Sequence, residues 1–171
     1  DYYDALYKDT VIAQTHNISV SGSNGKISHY LSGRLYDYNG LFNFTPDTYR
    51  TMNLRSKVSS QVFKWLKISN NFDYSKEGGG VLWRSLNDQG HPSSPIFNPD
   101  GTLTKSGAYA IGGLVTGNNW LDRTTKTLKN TTTLNVTMLE NRLRLTGDFS
   151  FRTKDYTETK KTTAIPYSAY E

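Results

Sequence analysis

Residues in this chain alternate between two characters along most of its length. Leu66, Ile68, Asn70, Phe72 and Tyr74 form a mostly apolar set, and the intervening Lys67, Ser69, Asn71, Asp73 and Ser75 are wholly polar. Successive side chains of an extended strand point to opposite faces, so a period of two makes a strand with one oily face, whereas an amphipathic helix needs a period of 3.6. The pattern recurs in Met52, Leu54, Ser56, Val58, Ser60 and Val62 against Thr51, Asn53, Arg55, Lys57, Ser59 and Gln61. It returns in Leu128, Leu134, Val136 and Met138. It is clearest in Leu143, Leu145, Gly147, Phe149 and Phe151 against Arg142, Arg144, Thr146, Asp148, Ser150 and Arg152. Two weaker strands are expected from Thr15 to Gly22 and from Ile27 to Tyr38, the latter with Leu31, Gly33 and Leu35 on one face. The expected fold class is all-β, with six antiparallel strands and no helix.

Connections between these strands alternate in length. Ser23-Asn24-Gly25, Phe63-Lys64-Trp65 and Leu139-Glu140-Asn141 are short hairpins, the first with the Asn-Gly signal of a tight turn. Between them lie longer stretches, from Asn39 to Thr48 and from Lys76 to Thr125, and a polar tail follows from Thr153. Short turns at one end and long loops at the other are the rhythm of a transmembrane β-barrel, whose periplasmic turns are short and extracellular loops long.

Hydropathy is compatible with that architecture. Only 35% of the 171 residues are hydrophobic and the mean hydropathy is −0.63, which is thin for a core in water. No stretch approaches the roughly 20 apolar residues of a spanning helix. A barrel strand needs only about 10 residues, apolar at every second position, so its average stays low. If the short turns face the periplasm, the first strand runs inward and the last outward, and both ends of the chain fall on the extracellular side. Six strands cannot enclose a lumen for a large solute, so an internal piece of a larger wall is expected.

The motifs in order then resemble a known family. Asp1-Tyr2-Tyr3-Asp4-Ala5-Leu6-Tyr7, His16-Asn17-Ile18-Ser19-Val20-Ser21-Gly22, Tyr30-Leu31-Ser32-Gly33 and Asp37-Tyr38-Asn39-Gly40 look like the early barrel of the SusC/RagA family of TonB-dependent outer-membrane transporters. Tyr49-Arg50 to Leu54-Arg55, Trp65-Leu66-Lys67-Ile68 and Asn98-Pro99-Asp100-Gly101 resemble its following strands and long loop. The family's usual tryptophan near the opening motif is replaced by Tyr2 or Tyr3. The resemblance covers nearly the whole chain and is weakest after Thr153. It implies that residues 1–171 are part of one β-barrel domain of about 22 strands, with the plug and remaining strands elsewhere. It further implies a Gram-negative outer-membrane location and import of glycan oligomers or peptides. The partners implied are a SusD-like surface lipoprotein and, through segments outside this chain, the TonB complex.

Candidate functional residues follow from chemistry and position. Charges on the polar faces, Arg34, Arg55, Lys57, Lys67, Asp73, Arg142, Arg144 and Arg152, are expected to face a lumen, where they meet either a plug or a solute, because a charge facing lipid costs about 2 to 4 kcal/mol near the midplane. The long connection holds Trp83, Arg84, His91, Phe97, Tyr109 and Trp120. Aromatics at this density either contact cargo or a lipoprotein, or pack the loop on itself. Tyr36, Tyr38, Phe72 and Tyr74 are expected in an external aromatic girdle facing outer-membrane lipid, with Trp65 as the periplasmic counterpart. Gly78-Gly79-Gly80 lacks the lysine and helix of a phosphate loop and reads as a flexible loop base.

Other chemistries find little support. The chain has no Cys, and His16, His29 and His91 show no metal-ligand spacing, so no metal or other cofactor is expected. No Gly-x-Ser-x-Gly elbow occurs, and no enzyme is expected. A formal charge of +5 is spread along the chain without the basic patch of a nucleic-acid binder. Aromatic residues make up 13% of the chain, which suits either barrel girdles or a sugar-binding surface. The alternative is therefore a soluble β-sandwich carbohydrate-binding module.

Overall fold

A computed structural model of the chain describes residues 4, 6–43, 47–81, 93–112, 119–140 and 142–169. Six strands, β1 (Ala13–Ser23), β2 (Ile27–Tyr38), β3 (Tyr49–Phe63), β4 (Leu66–Val81), β5 (Trp120–Met138) and β6 (Leu143–Lys161), make one antiparallel sheet. Their spatial order is their sequence order, each strand pairing with the next.

The turns at one end are tight because local chemistry closes them. In the first, the Asn24 side-chain oxygen accepts from the backbone N–H groups of Lys26 at 3.2 Å and Ile27 at 2.8 Å, while Gly25 takes φ of 85°. A register shift between Gln61 and Phe63 leads into the second turn, where the Phe63 and Trp65 rings stack at 5.4 Å. In the third, Leu139 and Glu140 both adopt φ of 50°, a conformation that twists the chain in the sense a hairpin needs.

Pairing register carries the alternation coherently across all six strands. Leu54 pairs with Tyr74 and Gly33, and Tyr74 pairs with Leu128, which pairs with Thr153. One step along the strands, Arg55 pairs with Ser32 and Asp73, Asp73 with Lys129, and Lys129 with Arg152. Because paired residues share a face, the apolar sets of all strands fall together and so do the charged sets. On the polar face the cross-strand pairs are hydrogen-bonded: Ser28 with Ser59 at 2.6 Å, Thr131 with Ser150 at 3.0 Å, and the Thr146 hydroxyl to Asn135 at 2.9 Å.

The strands outrun their alternation at the long-loop end. β4 continues past Tyr74 through Gly78-Gly79-Gly80, so these glycines belong to a strand and not to a loop base. A Cβ at Gly79 would collide with the Thr48 carbonyl, which explains why a residue without a side chain sits there. β5 begins at Trp120, and β6 runs on to Lys161 where a polar tail was expected. Each extension is held by the neighbouring ladder, as in the pairs Gly80 to Asp122 and Trp120 to Lys161.

A small cap lies among the longer connections. Helix α1 (Lys105–Ala110) departs from the all-strand expectation. The Thr104 hydroxyl caps it by accepting from the Gly107 N–H at 2.9 Å. Leu6 and Ile111 form a buried pair with Tyr7, Ile96 and Ala110 against it, and Leu103, Ala108 and Leu121 are also buried. The sheet itself has no comparable core among the described residues. Ile18 and Phe149 are each 72% exposed, and the apolar face is exposed along β1 and β6 and half-buried along β4.

Candidate functional site: a cationic belt on the concave face

The middle of the polar face is a belt of positive charge. Arg34 on β2, Arg55 on β3, Lys129 on β5 and Arg152 on β6 border one hollow of about 780 Å³, together with Asp73 on β4. Its lining runs from Asn17 on β1 to Arg152 on β6, so all six strands reach it and the sheet curves with this face inward. Four of the eight charged residues expected on one surface, Arg34, Arg55, Asp73 and Arg152, converge here.

The other four lie around it. Lys57 is one step further towards the short turns, paired with Tyr30. Lys67 and Arg144 sit near the short-turn end of the same face, paired with Asn135 and Thr137. Arg142 falls in the turn before β6. Lys129 and Lys154 share the belt face, beyond the charges expected from the alternation. Lys129 follows Leu128, so extending the alternation of β5 by one step would have found it.

The belt's charges are unevenly answered. Asp73 gives its carboxylate to the Arg55 Nε in a 2.5 Å ion pair. Arg34, Lys129 and Arg152 have no ion-pair partner among the described residues. Further towards the long loops, Arg123 pairs with Glu158 at 2.9 Å, and the Tyr156 hydroxyl donates to the same carboxylate at 2.6 Å. The Tyr49 hydroxyl donates to Glu77 at 3.2 Å beside the Tyr36 ring. Such exposed pairs add little stability.

Tyr36 and Tyr38 require a correction. They share parity with Arg34, and the register puts them opposite Thr51 and Tyr49, on the charged face. Only Phe72 and Tyr74 of the expected girdle stand on the apolar face, level with Asn130 and Leu128. The apolar face carries its own charges only near the long-loop end, where Arg50 makes a two-pronged contact with Asp37 at 3.0 and 3.2 Å.

The loop candidates separate. Trp83, Arg84 and His91 lie outside the described residues. Phe97 is 39% exposed in a short bridge to Leu103, Tyr109 is 65% exposed on α1, and Trp120 opens β5 opposite Lys161. Aliphatic Leu6, Leu103 and Ile111 pack the cap, Phe97 is partly covered beside them, and Tyr109 is mostly exposed. Among the described residues no three His, Cys, Asp or Glu gather as a metal ion would require. No helix there is long and apolar enough to cross a membrane, which says nothing of crossing by strands.

No protein-family model matches the sequence, and no curated protein matches it.

Proposed function

We propose that this sheet is a sector of the wall of an outer-membrane β-barrel, with its charged concave face towards a lumen and its apolar face towards lipid. One observation carries the reading: the register leaves the apolar face without a single Asp, Glu, Lys or Arg from Met52 to Val62, Leu66 to Tyr74, Leu128 to Met138 and Leu143 to Thr153. About 10 residues at roughly 3.3 Å each, tilted as barrel strands are, give a band of about 25 Å, the height of a bilayer's apolar layer. Charges reappear on that face at Lys76, Lys126 and Asp155, one step beyond Tyr74 and Leu128.

Magnitudes support the same orientation. Covering a large apolar side chain is worth about 1.5 to 3 kcal/mol, so a dozen left bare would forfeit more than the roughly 5 to 15 kcal/mol of net stability a domain has. A lipid environment covers such a face at no cost to the polar one. A β-sandwich would divide its strands between two sheets with Greek-key crossings, whereas these six follow one another in a single meander.

Within that class the best-supported assignment is a TonB-dependent importer of the SusC/RagA type, taking up glycan oligomers or peptides with a SusD-like lipoprotein at its mouth. The ordered motifs described above support it, as does the alternation of short turns and long connections. The wall contributes no catalysis. Energy would reach the transporter through its plug and TonB, and this sector would supply a smooth outer surface and a charged inner one.

The test is the intact mass of the native polypeptide extracted from outer membranes in detergent, with identification of what copurifies. A species of roughly 100 kDa, about the mass of a 22-stranded plugged barrel, together with a lipoprotein is expected. A water-soluble species of 19.3 kDa would overturn the reading.

A further inference from the structure

We infer that the cationic belt is a binding site for an acidic oligosaccharide, a glycan bearing carboxylates or sulfates at intervals along its chain. The inference rests on the reading of the concave face as a lumen wall. Lys129 and Arg152 are direct cross-strand partners. Like charges facing each other in this way repel, and an arrangement that keeps them adjacent is eased when an anion lies between them. Asp73, the cross-strand partner of Lys129 on its other side, is ion-paired with Arg55. Around the hollow there are four cations to one carboxylate, Arg34, Arg55, Lys129 and Arg152 to Asp73.

Spacing selects the kind of anion. Arg34 on β2 and Lys129 on β5 are three strand intervals apart, roughly 14 Å at the usual separation. Cations spread over four strands, β2, β3, β5 and β6, offer more contacts than one phosphate or sulfate can take, whereas acidic groups repeated along an oligomer can meet them in turn. The cavity of about 780 Å³ is of the size that holds a short oligomer. Between the cations the lining is small and hydrogen-bonding, with Asn53, Ser75 and Thr127. Such groups suit sugar hydroxyls. Tyr30 supplies one ring face at the edge, enough for a pyranose and too little for the serial stacking of nucleobases.

Guanidinium groups bind carboxylate and sulfate through paired N–H donors, and a charged hollow with low-dielectric walls concentrates such anions. The belt thus favours acidic over neutral chains of equal length, most strongly at low salt.

Calorimetry on the native protein in detergent tests this, with a galacturonate hexamer as the acidic probe and maltohexaose as the neutral one. The acidic hexamer should bind at least about tenfold more tightly than the neutral one and lose affinity as salt rises. Lys129→Gln with Arg152→Gln should weaken it by about tenfold or more. Lys26→Gln, which removes the same kind of charge from the distant first turn, should leave it unchanged. Removing two repelling charges does not threaten the fold, and a thermal melt of the double variant verifies that. Equal affinity for both probes, or loss of affinity in Lys26→Gln matching that of the double variant, would overturn the site. So would failure of the acidic hexamer to bind alongside a destabilised double variant, the signature of an acidic protein segment occupying the belt. Membrane insertion is read separately: a protein that inserts and ignores the hexamer keeps the wall and loses the acidic ligand, whereas one that stays in water loses the wall.

Discussion

Asn70 and Asn130 hold each other's carboxamides across β4 and β5, in the middle of the apolar face. The Asn70 amide donates to the Asn130 oxygen at 3.0 Å and the Asn130 amide donates back at 3.3 Å, while Asn70 also donates to the Thr132 hydroxyl at 2.9 Å. On the proposed lipid-facing surface an isolated carboxamide would be expensive, and this cluster satisfies itself without leaving the face.

Breaking that reciprocity should be worse than abolishing it. Asn70→Ala strands the Asn130 amide and is expected to cost about 1 to 3 kcal/mol, whereas Asn70→Leu together with Asn130→Leu should be near neutral or stabilising. Denaturant titration of the lipid-reconstituted protein measures both, and a double variant as damaged as the single one would contradict a lipid-facing position.

Adjacent residues on β6 should respond oppositely to the same charge. Phe149→Arg is expected to cost about 2 to 4 kcal/mol in a bilayer, and Ser150→Arg close to nothing, because parity puts Phe149 on the apolar face and Ser150 on the polar one. Reversible unfolding from lipid vesicles gives the two values. Similar costs would mean that the two faces do not meet different solvents.

The β5–β6 turn carries strain that substitution can remove. Leu139 and Glu140 both occupy the left-handed region, at about 1 to 2 kcal/mol for each residue with a Cβ. Replacing them with Asn-Gly should stabilise the hairpin by about 1 kcal/mol or more, seen as a higher denaturant midpoint with an unchanged slope.

The turn around Asp100 should loosen as pH falls below 3.8. Its carboxylate accepts from the Thr102 hydroxyl at 2.6 Å and then from the Thr102 N–H at 2.9 Å, and the hydroxyl bond in particular holds the acid below its ordinary value of 3.8. The folded value is therefore the lower one, so the turn's contribution is complete above pH 3.8 and fades as pH falls through the depressed value. The Thr102 amide resonance, followed down a pH titration, should move with a midpoint below 3.8, and Asp100→Asn should abolish the transition.

Most of the sheet was legible because one face of each strand had to be oily, and that constraint writes a period of two into residues such as Leu143 to Phe151. The upper ends were not, since Lys76, Gly78 and Gly80 stand where both faces turn polar, and only the neighbouring ladder shows that the strand continues. Helix α1 is too short to display a period. The belt was half legible. Arg34, Arg55, Asp73 and Arg152 followed from parity, but Lys129 lies among threonines that dilute the pattern, and the curvature gathering these residues around one hollow is not written in any single strand. Tyr36 and Tyr38 follow the parity of Arg34, which fixes their face whatever their aromatic character.

Since every strand pairs only with its neighbours in sequence, each hairpin is a self-contained module that the rest of the sheet accepts at its edge. The segment between β4 and β5 can lengthen, shorten or change its residues without moving one rung of any ladder. What that segment touches can therefore change while the sheet beneath it keeps its register.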